Sequence, residues 1–191
     1  MSRTWAAALR PRKLPFRRRV TRASVALIYR RPPGLPPELL FIQRAHCEGD
    51  PWSGDMAFPG GRLQADDTGS RAAALRETLE ETGLDLSHHG HYRARLSDLL
   101  TRHHSRWRLM VVTPYVFEWR GPDTPTLNHE VQQTVWIPLD YLAAGENQSV
   151  RLWQTLLGKL RMPCCCYQGC CIWGLSYSMM REMLARNLAE A

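Results

Sequence analysis

Three glutamates within one short segment, Glu77, Glu80 and Glu81, are the residues of this sequence best suited to bind a metal ion. Residues 70–82 are rich in helix formers, and Gly83 follows where a left-handed C-cap would end a helix, so the sequence predicts an α-helix over 70–82. At about 100° per residue, the three carboxylates share one helix face. Their mutual repulsion costs roughly a few tenths of a kcal/mol per pair. A hard dication such as Mg²⁺, which prefers oxygen ligands, would reverse that cost.

A glycine turn, Phe58-Pro59-Gly60-Gly61, precedes the predicted helix. Taken alone, the acidic helix face is also consistent with a surface that is simply solvated by water. The turn favours a binding site instead, because a glycine leaves its carbonyl unobstructed, and Gly60 could offer that oxygen to a metal ion. The helix and the turn together therefore predict one site.

The turn, an acid at Asp67 and the segment 76–84 (RETLEETGL) together resemble the Nudix box, G-x5-E-x7-R-E-U-x-E-E-x-G-U. Two positions differ: eight residues rather than seven separate Asp67 from Arg76, and Thr78 stands where the box has an aliphatic residue. Neither difference removes a carboxylate from the helix. The resemblance implies an α/β fold, a Nudix-type α/β/α sandwich with a mixed sheet. It also implies hydrolysis of a nucleoside diphosphate linkage with Mg²⁺, for which Mn²⁺ could substitute.

The extra residue and the aspartate look like the coenzyme A diphosphatase branch of that family. Its upstream signature agrees at Arg44-Ala45 and at Gly54-x3-Phe58, but Gly49 stands at its second arginine position and the spacing is one residue longer. The resemblance therefore implies coenzyme A or a related nucleotide derivative as substrate. ADP-ribose, a dinucleotide or another nucleotide is the alternative within hydrolases. A catalytically silent Nudix module that binds nucleotide or RNA is the alternative outside them.

Residue roles follow from the resemblance position by position. Glu77, Glu80 and Glu81 would hold the metal with the Gly60 carbonyl, and Glu77 would also orient or deprotonate the attacking water. Glu130 is the second candidate for that base, and an ordinary loop acid is the alternative interpretation of it. Arg76 lies four residues before Glu80 and can pair with it, which places it in the catalytic set.

Two further residues are candidates for substrate binding, namely Arg44 and Gly61. Arg44 lies near the end of a predicted strand and could meet phosphate through a bidentate contact, although a solvated edge arginine is equally consistent with the sequence. A polar loop containing His103, His104 and Trp107 could contact a nucleotide base, with a solvated surface loop as the alternative.

The elements that must position these residues are strands and helices in alternation. The patterns predict strands over 22–31, 39–44, 56–58, 109–119, 134–137 and 170–175, and helices over 70–82, 138–144 and 176–189. Such interleaving predicts a mixed α/β layered domain. We assign residues 22–191 to a Nudix hydrolase domain and residues 1–21 to a basic, flexible N-terminal arm.

Much of the formal charge of +7 comes from the first 37 residues, which contain ten arginines and lysines and no acid. Such a run is typical of a solvated tail, and less often of a surface that attracts nucleic acid, which is not the favoured partner here. Prolines 11 and 15 would break a presequence helix, so organelle import is less favoured, and the apolar run 5–9 is too short for a membrane span. These features lead us to expect a cytoplasmic protein. The sequence leaves the oligomeric state open, and a homodimer is consistent with it.

Five of the six cysteines lie close together, at 164–166 and 170–171. Their spacing fits neither a disulfide framework nor a zinc site, and neighbouring strand side chains point to opposite faces of a sheet. The sequence predicts that these cysteines are reduced and structural, with a metal or redox role as the alternative.

Overall fold

A computed structural model describes residues 10–49, 52–102, 108–155 and 158–189. Its main sheet contains strands from the first three quarters of the chain. They are β1 (Thr21–Arg30), β2 (Glu38–Arg44), β3 (Met56–Ala57), β4 (Gly60–Arg62), β5 (Gly90–Arg95), β6 (Leu99–Arg102), β7 (Leu109–Trp119) and β8 (Val131–Pro138). The central order is β3-β2-β1-β7-β5, with β4 paired to β1, β6 to β7 and β8 to β2. Because β1 is parallel to β7 and antiparallel to β2, the predicted mixed sheet is confirmed.

A second, antiparallel sheet follows in the order β11-β10-β9. Its strands are β9 (Gln148–Thr155), β10 (Gly158–Tyr167) and β11 (Cys170–Trp173). Four α-helices complete the described part of the chain: α1 (Ser70–Thr82), α2 (Leu86–His89), α3 (Leu139–Ala143) and α4 (Gly174–Ala185). None of the helices in the described ranges is long and apolar enough to cross a membrane.

Two apolar layers cover opposite faces of the main sheet, because successive side chains of a strand alternate between faces. In β1, Leu27 and Tyr29 join a cluster that contains Met180 of α4. Ala26 and Ile28 point the other way, into a cluster that contains Ala74 of α1. One long helix therefore packs on each face, and the predicted α/β/α arrangement is confirmed.

The helix prediction for 70–82 is confirmed to the residue, and the predicted strands correspond to β1, β2, β3, β7, β8 and β11. The predicted last strand extended too far, because it ends at Trp173 and Gly174 already begins α4. The patterns did not indicate β5, whose residues are largely exposed and polar. They also missed β9 and β10, which are stabilised by pairing with each other.

The basic N-terminal segment contacts the domain in its described part. The Leu14 N–H donates to Asp98 Oδ2 over 2.9 Å, and Arg17 Nη1 lies 3.4 Å from the same oxygen. The Asp98 side chain is fully buried and also pairs with Arg95. Asp98 thus anchors the backbone just before β1, while the division into an arm over 1–21 and a domain over 22–191 stays a prediction.

The prediction that all the cysteines are reduced is wrong for Cys166 and Cys171, which form a disulfide. The two residues face each other across the β10–β11 hairpin, with Cα atoms 4.0 Å apart. The turn residues Gln168 and Gly169 both have positive φ, 48° and 84°, as a two-residue type I′ hairpin requires. This turn sets the register that brings the two sulfurs together. Cys164 and Cys165 are free, as predicted, and both are buried.

Candidate active site

Helix α1 packs on the sheet through the side that contains Glu81. Its buried residues are Ala73, Ala74, Thr78, Glu81 and Thr82, while Leu79 is 47% exposed. Small side chains let the helix approach the strands closely. Thr78 fits at its buried position because its hydroxyl donates to the Ala74 carbonyl over 2.7 Å, which satisfies the hydroxyl inside the helix.

Glu81 is a buried carboxylate held by the glycine turn. The Gly60 N–H donates to Glu81 Oε2 over 2.9 Å, and Glu81 is only 5% exposed. Burial, helped by the charges of the nearby Glu77 and Glu130, raises the pKa of Glu81 to about 8 against the lowering effect of the Gly60 hydrogen bond. Glu81 is therefore not the solvated surface acid that the helix sequence alone also allowed.

Both glycines of the turn are needed for close approach. Gly60 has φ +150°, and a Cβ there would lie 2.6 Å from the Cα of Val25 on the neighbouring strand. A Cβ at Gly61 would lie 2.6 Å from Glu77 Oε2. The turn therefore presses its backbone against β1 on one side and against the Glu77 carboxylate on the other.

Arg76 holds three acids in place through its guanidinium group. Its Nε and Nη2 donate to the two oxygens of Asp67, each over 3.1 Å. Its Nη1 donates to Glu77 Oε1 over 3.0 Å and to Glu80 Oε2 over 3.1 Å, which confirms the predicted Arg76–Glu80 pair. The hydrogen bonds from Arg76 lower the pKa of Asp67. Burial raises the pKa of Glu77, and Arg76 opposes that rise.

Arg44 and Glu130 lie beside the buried carboxylates, at the end of β2 and just before β8. Arg44 pairs in register with Val131, and the Ala45 N–H donates to the Glu130 carbonyl over 2.8 Å. Arg44 is near enough to Glu81 to lower its pKa, and Glu130 near enough to raise it. The structure thus brings Arg44, Glu81 and Glu130 together with the rest of the predicted set.

A cavity of about 610 Å³ opens beside the turn. Gly60, Gly61 and Arg44 line one part of it, and apolar side chains such as Phe58 and Met179 line much of the rest. Its size falls within the range of small-molecule sites, roughly 300–1,000 Å³. The arrangement of acids, an arginine and an adjoining apolar cavity suits a ligand with an anionic part and a larger, less polar part.

Comparison with protein families identifies the domain, since the model of the NUDIX domain matches residues 20–154. The chain belongs to the Nudix family. Its members are generally hydrolases of pyrophosphate linkages in nucleoside diphosphate derivatives, and the match confirms the family predicted from the box at 58–84. Nothing in the match selects the coenzyme A branch.

A curated relative, an uncharacterised protein of Schizosaccharomyces pombe, is 36% identical over 118 residues. That match covers 59% of this chain and 35% of the relative, so the chain spans about a third of the length of that relative.

Solved structures share the Nudix fold. An Ap4A hydrolase of Caenorhabditis elegans, solved as a binary complex, has a TM-score of 0.59 at 20% identity and covers 90% of this chain and 100% of its own. A MutT/nudix family protein from Enterococcus faecalis has a TM-score of 0.52 at 16% identity, covering 85% and 54%. A Nudix hydrolase of Mycobacterium smegmatis, RenU, has 0.51 at 21% identity, covering 63% and 72%.

The Nudix helix offers oxygen donors of the kind that Mg²⁺ prefers. Among the residues described, however, no three acidic, histidine or cysteine side chains already converge as a metal site. The reason is that Arg76 holds Glu77 and Glu80 while the Gly60 amide holds Glu81. The donors fit a divalent ion by their chemistry and by the burial of Glu81.

Sequence reasoning assigned no partner to Asp67, which the structure places against Arg76. It also missed Asp55, which lines the cavity three residues before Phe58. The spacing of Asp67 within the Nudix box was a sequence signal for that residue, whereas no pattern indicated Asp55. His103, His104 and Trp107 lie outside the described residues.

Proposed function

We propose that the protein is a Mg²⁺-dependent hydrolase that cleaves the diphosphate linkage of a nucleoside diphosphate derivative. The observation that carries the proposal is the burial of Glu81 next to Glu77 and Glu130. A buried carboxylate beside other acids is costly in its charged form, and it must either take up a proton or be neutralised by a cation, which a bound metal ion would supply.

In this proposal Glu77, Glu80 and Glu81, with the Gly60 carbonyl, hold the ion, and Mn²⁺ can replace Mg²⁺. When bound, the ion neutralises phosphate charge and lowers the pKa of a water molecule. Arg76 is a positioning residue, because its Nη1 donates to both Glu77 and Glu80 and so restricts where the two carboxylates lie. Asp67 in turn fixes Arg76 through two hydrogen bonds.

Hydrolysis requires an attacking water, a group that takes its proton and groups that bind the diphosphate. The oxygen of a water molecule attacks one phosphorus atom, and the bond from that phosphorus to the bridging oxygen breaks. Glu77 takes the proton of the water on Oε2, since Arg76 already holds Oε1. Arg44 and the Gly61 backbone bind the diphosphate at the cavity mouth, where a guanidinium can bind phosphate oxygens in a bidentate manner.

Coenzyme A or a related nucleotide derivative is the substrate that the Nudix-box variant at Asp67 favours, and ADP-ribose, a dinucleotide or another nucleotide is the alternative. The test is to incubate the protein with Mg²⁺ and coenzyme A, ADP-ribose, NADH, diadenosine polyphosphates and nucleoside triphosphates, and to identify products by mass spectrometry. We expect one compound to be split at a phosphorus–oxygen bond, with ¹⁸O from labelled water in one phosphate, and no product when EDTA is present. Binding without cleavage, with either Mg²⁺ or Mn²⁺, would contradict a hydrolase and favour a silent module.

A further inference from the structure

The wall of the cavity near Arg44 carries a carboxylate that the proposed reaction does not use. Asp55 Oδ1 accepts a 2.9 Å ion-paired hydrogen bond from Arg151 Nη1, and the Asp55 side chain is 12% exposed. Its other oxygen, Oδ2, is buried and accepts no hydrogen bond from any residue that the structure describes. Asp55 Oδ2 is thus a buried hydrogen-bond acceptor that is shielded from water.

Arg151 keeps this carboxylate from turning. It lies on β9 of the second sheet, and its guanidinium carbon stands 4.6 Å from the ring centroid of Trp173. Trp173 is itself packed against Trp153, with ring centroids 4.6 Å apart. Arg151 is therefore packed against an indole on one side and bonded to Asp55 on the other, which keeps Oδ1 engaged and leaves Oδ2 buried without a partner among the described residues.

The backbone ties Asp55 to the diphosphate end of the cavity. The Arg44 N–H donates to the Asp55 carbonyl over 3.1 Å, so the two residues are hydrogen-bonded neighbours. Both line the same cavity, with Gly60. A ligand whose phosphates lie at Arg44 would place its next group against Asp55.

The surroundings of Asp55 restrict what that group can be. Of the described residues that line the cavity, Asp55 is the one acid, and Val25, Phe58, Met110 and Leu175 are among the apolar residues that line it with Asp55. A second phosphate would be repelled there by the carboxylate. A group with apolar faces and an N–H at its edge would pack against the side chains and give Oδ2 its partner. A nucleobase with an exocyclic amino group meets both conditions.

We infer that Asp55 determines specificity by accepting a hydrogen bond from the amino group of the substrate's base, with Arg151 as its positioning residue. The inference rests on the proposed function for the anionic end of the ligand. It assigns the less polar part of the substrate to the cavity and selects substrates that carry an amino-bearing base such as adenine.

The experiment compares two ligands that differ only in that group: AMP and purine riboside 5′-monophosphate, which lacks the amine. Dissociation constants are measured by titration calorimetry with the full chain and Mg²⁺. We expect the wild-type protein to bind AMP about tenfold or more tightly, the loss that an unsatisfied buried acceptor would cause. Equal affinity for the two ligands would overturn the inference, and this comparison needs no variant.

Two variants separate recognition from a structural role. Asp55→Leu removes the acceptor, and we expect it to bind AMP no more tightly than the purine analogue. Arg151→Met removes the ion pair but leaves the acceptor, and we expect it to weaken AMP binding while keeping some preference for the amine. If Asp55→Leu keeps the wild-type preference, or if both variants change stability without changing the AMP-to-purine ratio, Asp55 is only structural.

The same measurement with Glu81→Gln distinguishes this inference from the proposed function. We expect that variant to lose turnover but to keep the preference for AMP. If the wild-type protein prefers AMP but splits no compound, the inferred base-binding role of Asp55 is supported and the proposed hydrolase activity is contradicted. If the protein hydrolyses substrates with adenine and substrates with unsubstituted purine equally well, the hydrolase activity is supported and the base-binding role of Asp55 is contradicted.

Discussion

Glu81 of α1 and Gly60 of the glycine turn are joined by a 2.9 Å hydrogen bond across 21 positions of the chain. This contact connects the two halves of the Nudix box directly. It orients a buried carboxylate through its Oε2 atom, and the carbonyl of the same glycine belongs to the next peptide unit. The geometry of the proposed metal site therefore depends on this pair more than on the acidic helix alone.

We expect Glu81→Gln to abolish metal-dependent phosphate release while the fold survives. The amide is nearly isosteric and can still accept the Gly60 hydrogen bond through its oxygen, but it removes the negative charge that would hold the ion. The measurements are phosphate release at saturating Mg²⁺ and the melting temperature with and without Mg²⁺. Binding of the ion should raise the melting temperature of the wild-type protein and not that of the variant.

Glu146→Gln is the matched control, because Glu146 is an exposed glutamate of the short 3-10 turn at 145–147. It should keep full activity and the wild-type response to Mg²⁺. Full activity in Glu81→Gln would mean that the site has been assigned to the wrong residues.

We expect Gly61→Ala to impair the site without a general loss of structure. The added methyl group would lie 2.6 Å from Glu77 Oε2, so the carboxylate would have to move away from the turn. A displacement of this kind should lower kcat by roughly tenfold to a hundredfold, as misplaced catalytic groups do. Gly145→Ala is the control, since a Cβ there meets no atom of the described residues within 4 Å. Equal activity of the two variants would show that Glu77 does not act at this position.

Much of this site could be predicted from sequence, because its parts are local. Helix α1 follows from its helix formers and from Gly83, and the box spacing identifies Arg76 and the three glutamates. The direction in which α1 packs was harder to predict. Glu81 is buried because the small residues Ala73 and Ala74 face the strands, whereas the leucine at 79 is exposed.

Features that depend on distant pairing were not predictable. The edge strand β5 has no apolar alternation of its own and exists because it pairs with β7. Asp55 lies in a loop-like segment, and only the arrival of Arg151 from β9, almost a hundred positions later, reveals it. The disulfide depends on the register set by Gln168 and Gly169, and a count of cysteines carries no information about that register.

We expect Glu118 to make the protein sensitive to acid. Burial opposes ionisation, but hydrogen bonds from Arg93 and Arg120 outweigh it and lower the pKa of Glu118 from 4.5 to about 2. The charged form therefore stabilises the folded state above pH 4.5, and this contribution is lost as the pH falls from about 4.5 to 2. Glu118→Gln should lower the free energy of unfolding at pH 7 by roughly 1–3 kcal/mol and should flatten its decline in that window. Urea titrations at several pH values measure both effects. If the free energy of unfolding declines equally in the wild type and the variant between pH 4.5 and 2, Glu118 is not the cause of the acid sensitivity.

We expect Glu77, rather than Glu130, to act as the general base. Glu77 is partly buried against Gly61, whereas Glu130 is exposed and contributes mainly through its charge near Glu81. At saturating Mg²⁺, Glu77→Gln should lower kcat by roughly 10²–10⁴-fold, the usual contribution of a positioned base. Glu130→Gln should keep the acidic limb of the pH–rate profile. Loss of that limb in Glu130→Gln would transfer the role to Glu130.

We expect the Cys166–Cys171 disulfide to stabilise the hairpin that carries Trp173, but not to take part in the reaction. A crosslink that closes so short a loop contributes about 2 kcal/mol by restricting the unfolded chain. The double variant Cys166→Ser, Cys171→Ser should lose about that much free energy of unfolding in urea titrations under oxidising conditions. It should show no further loss when a reductant is added, whereas the wild-type protein should.

Cys47→Ser is the control for this comparison, because Cys47 is exposed and free, and it should leave the stability unchanged. Peptide mapping of the oxidised protein should recover residues 166 and 171 in one crosslinked fragment. Cytosolic thiols are normally kept reduced, so in such a compartment the wild-type protein should resemble the double variant in stability. An oxidised protein without the crosslink would mean that the hairpin register differs from the one in which Cys166 faces Cys171.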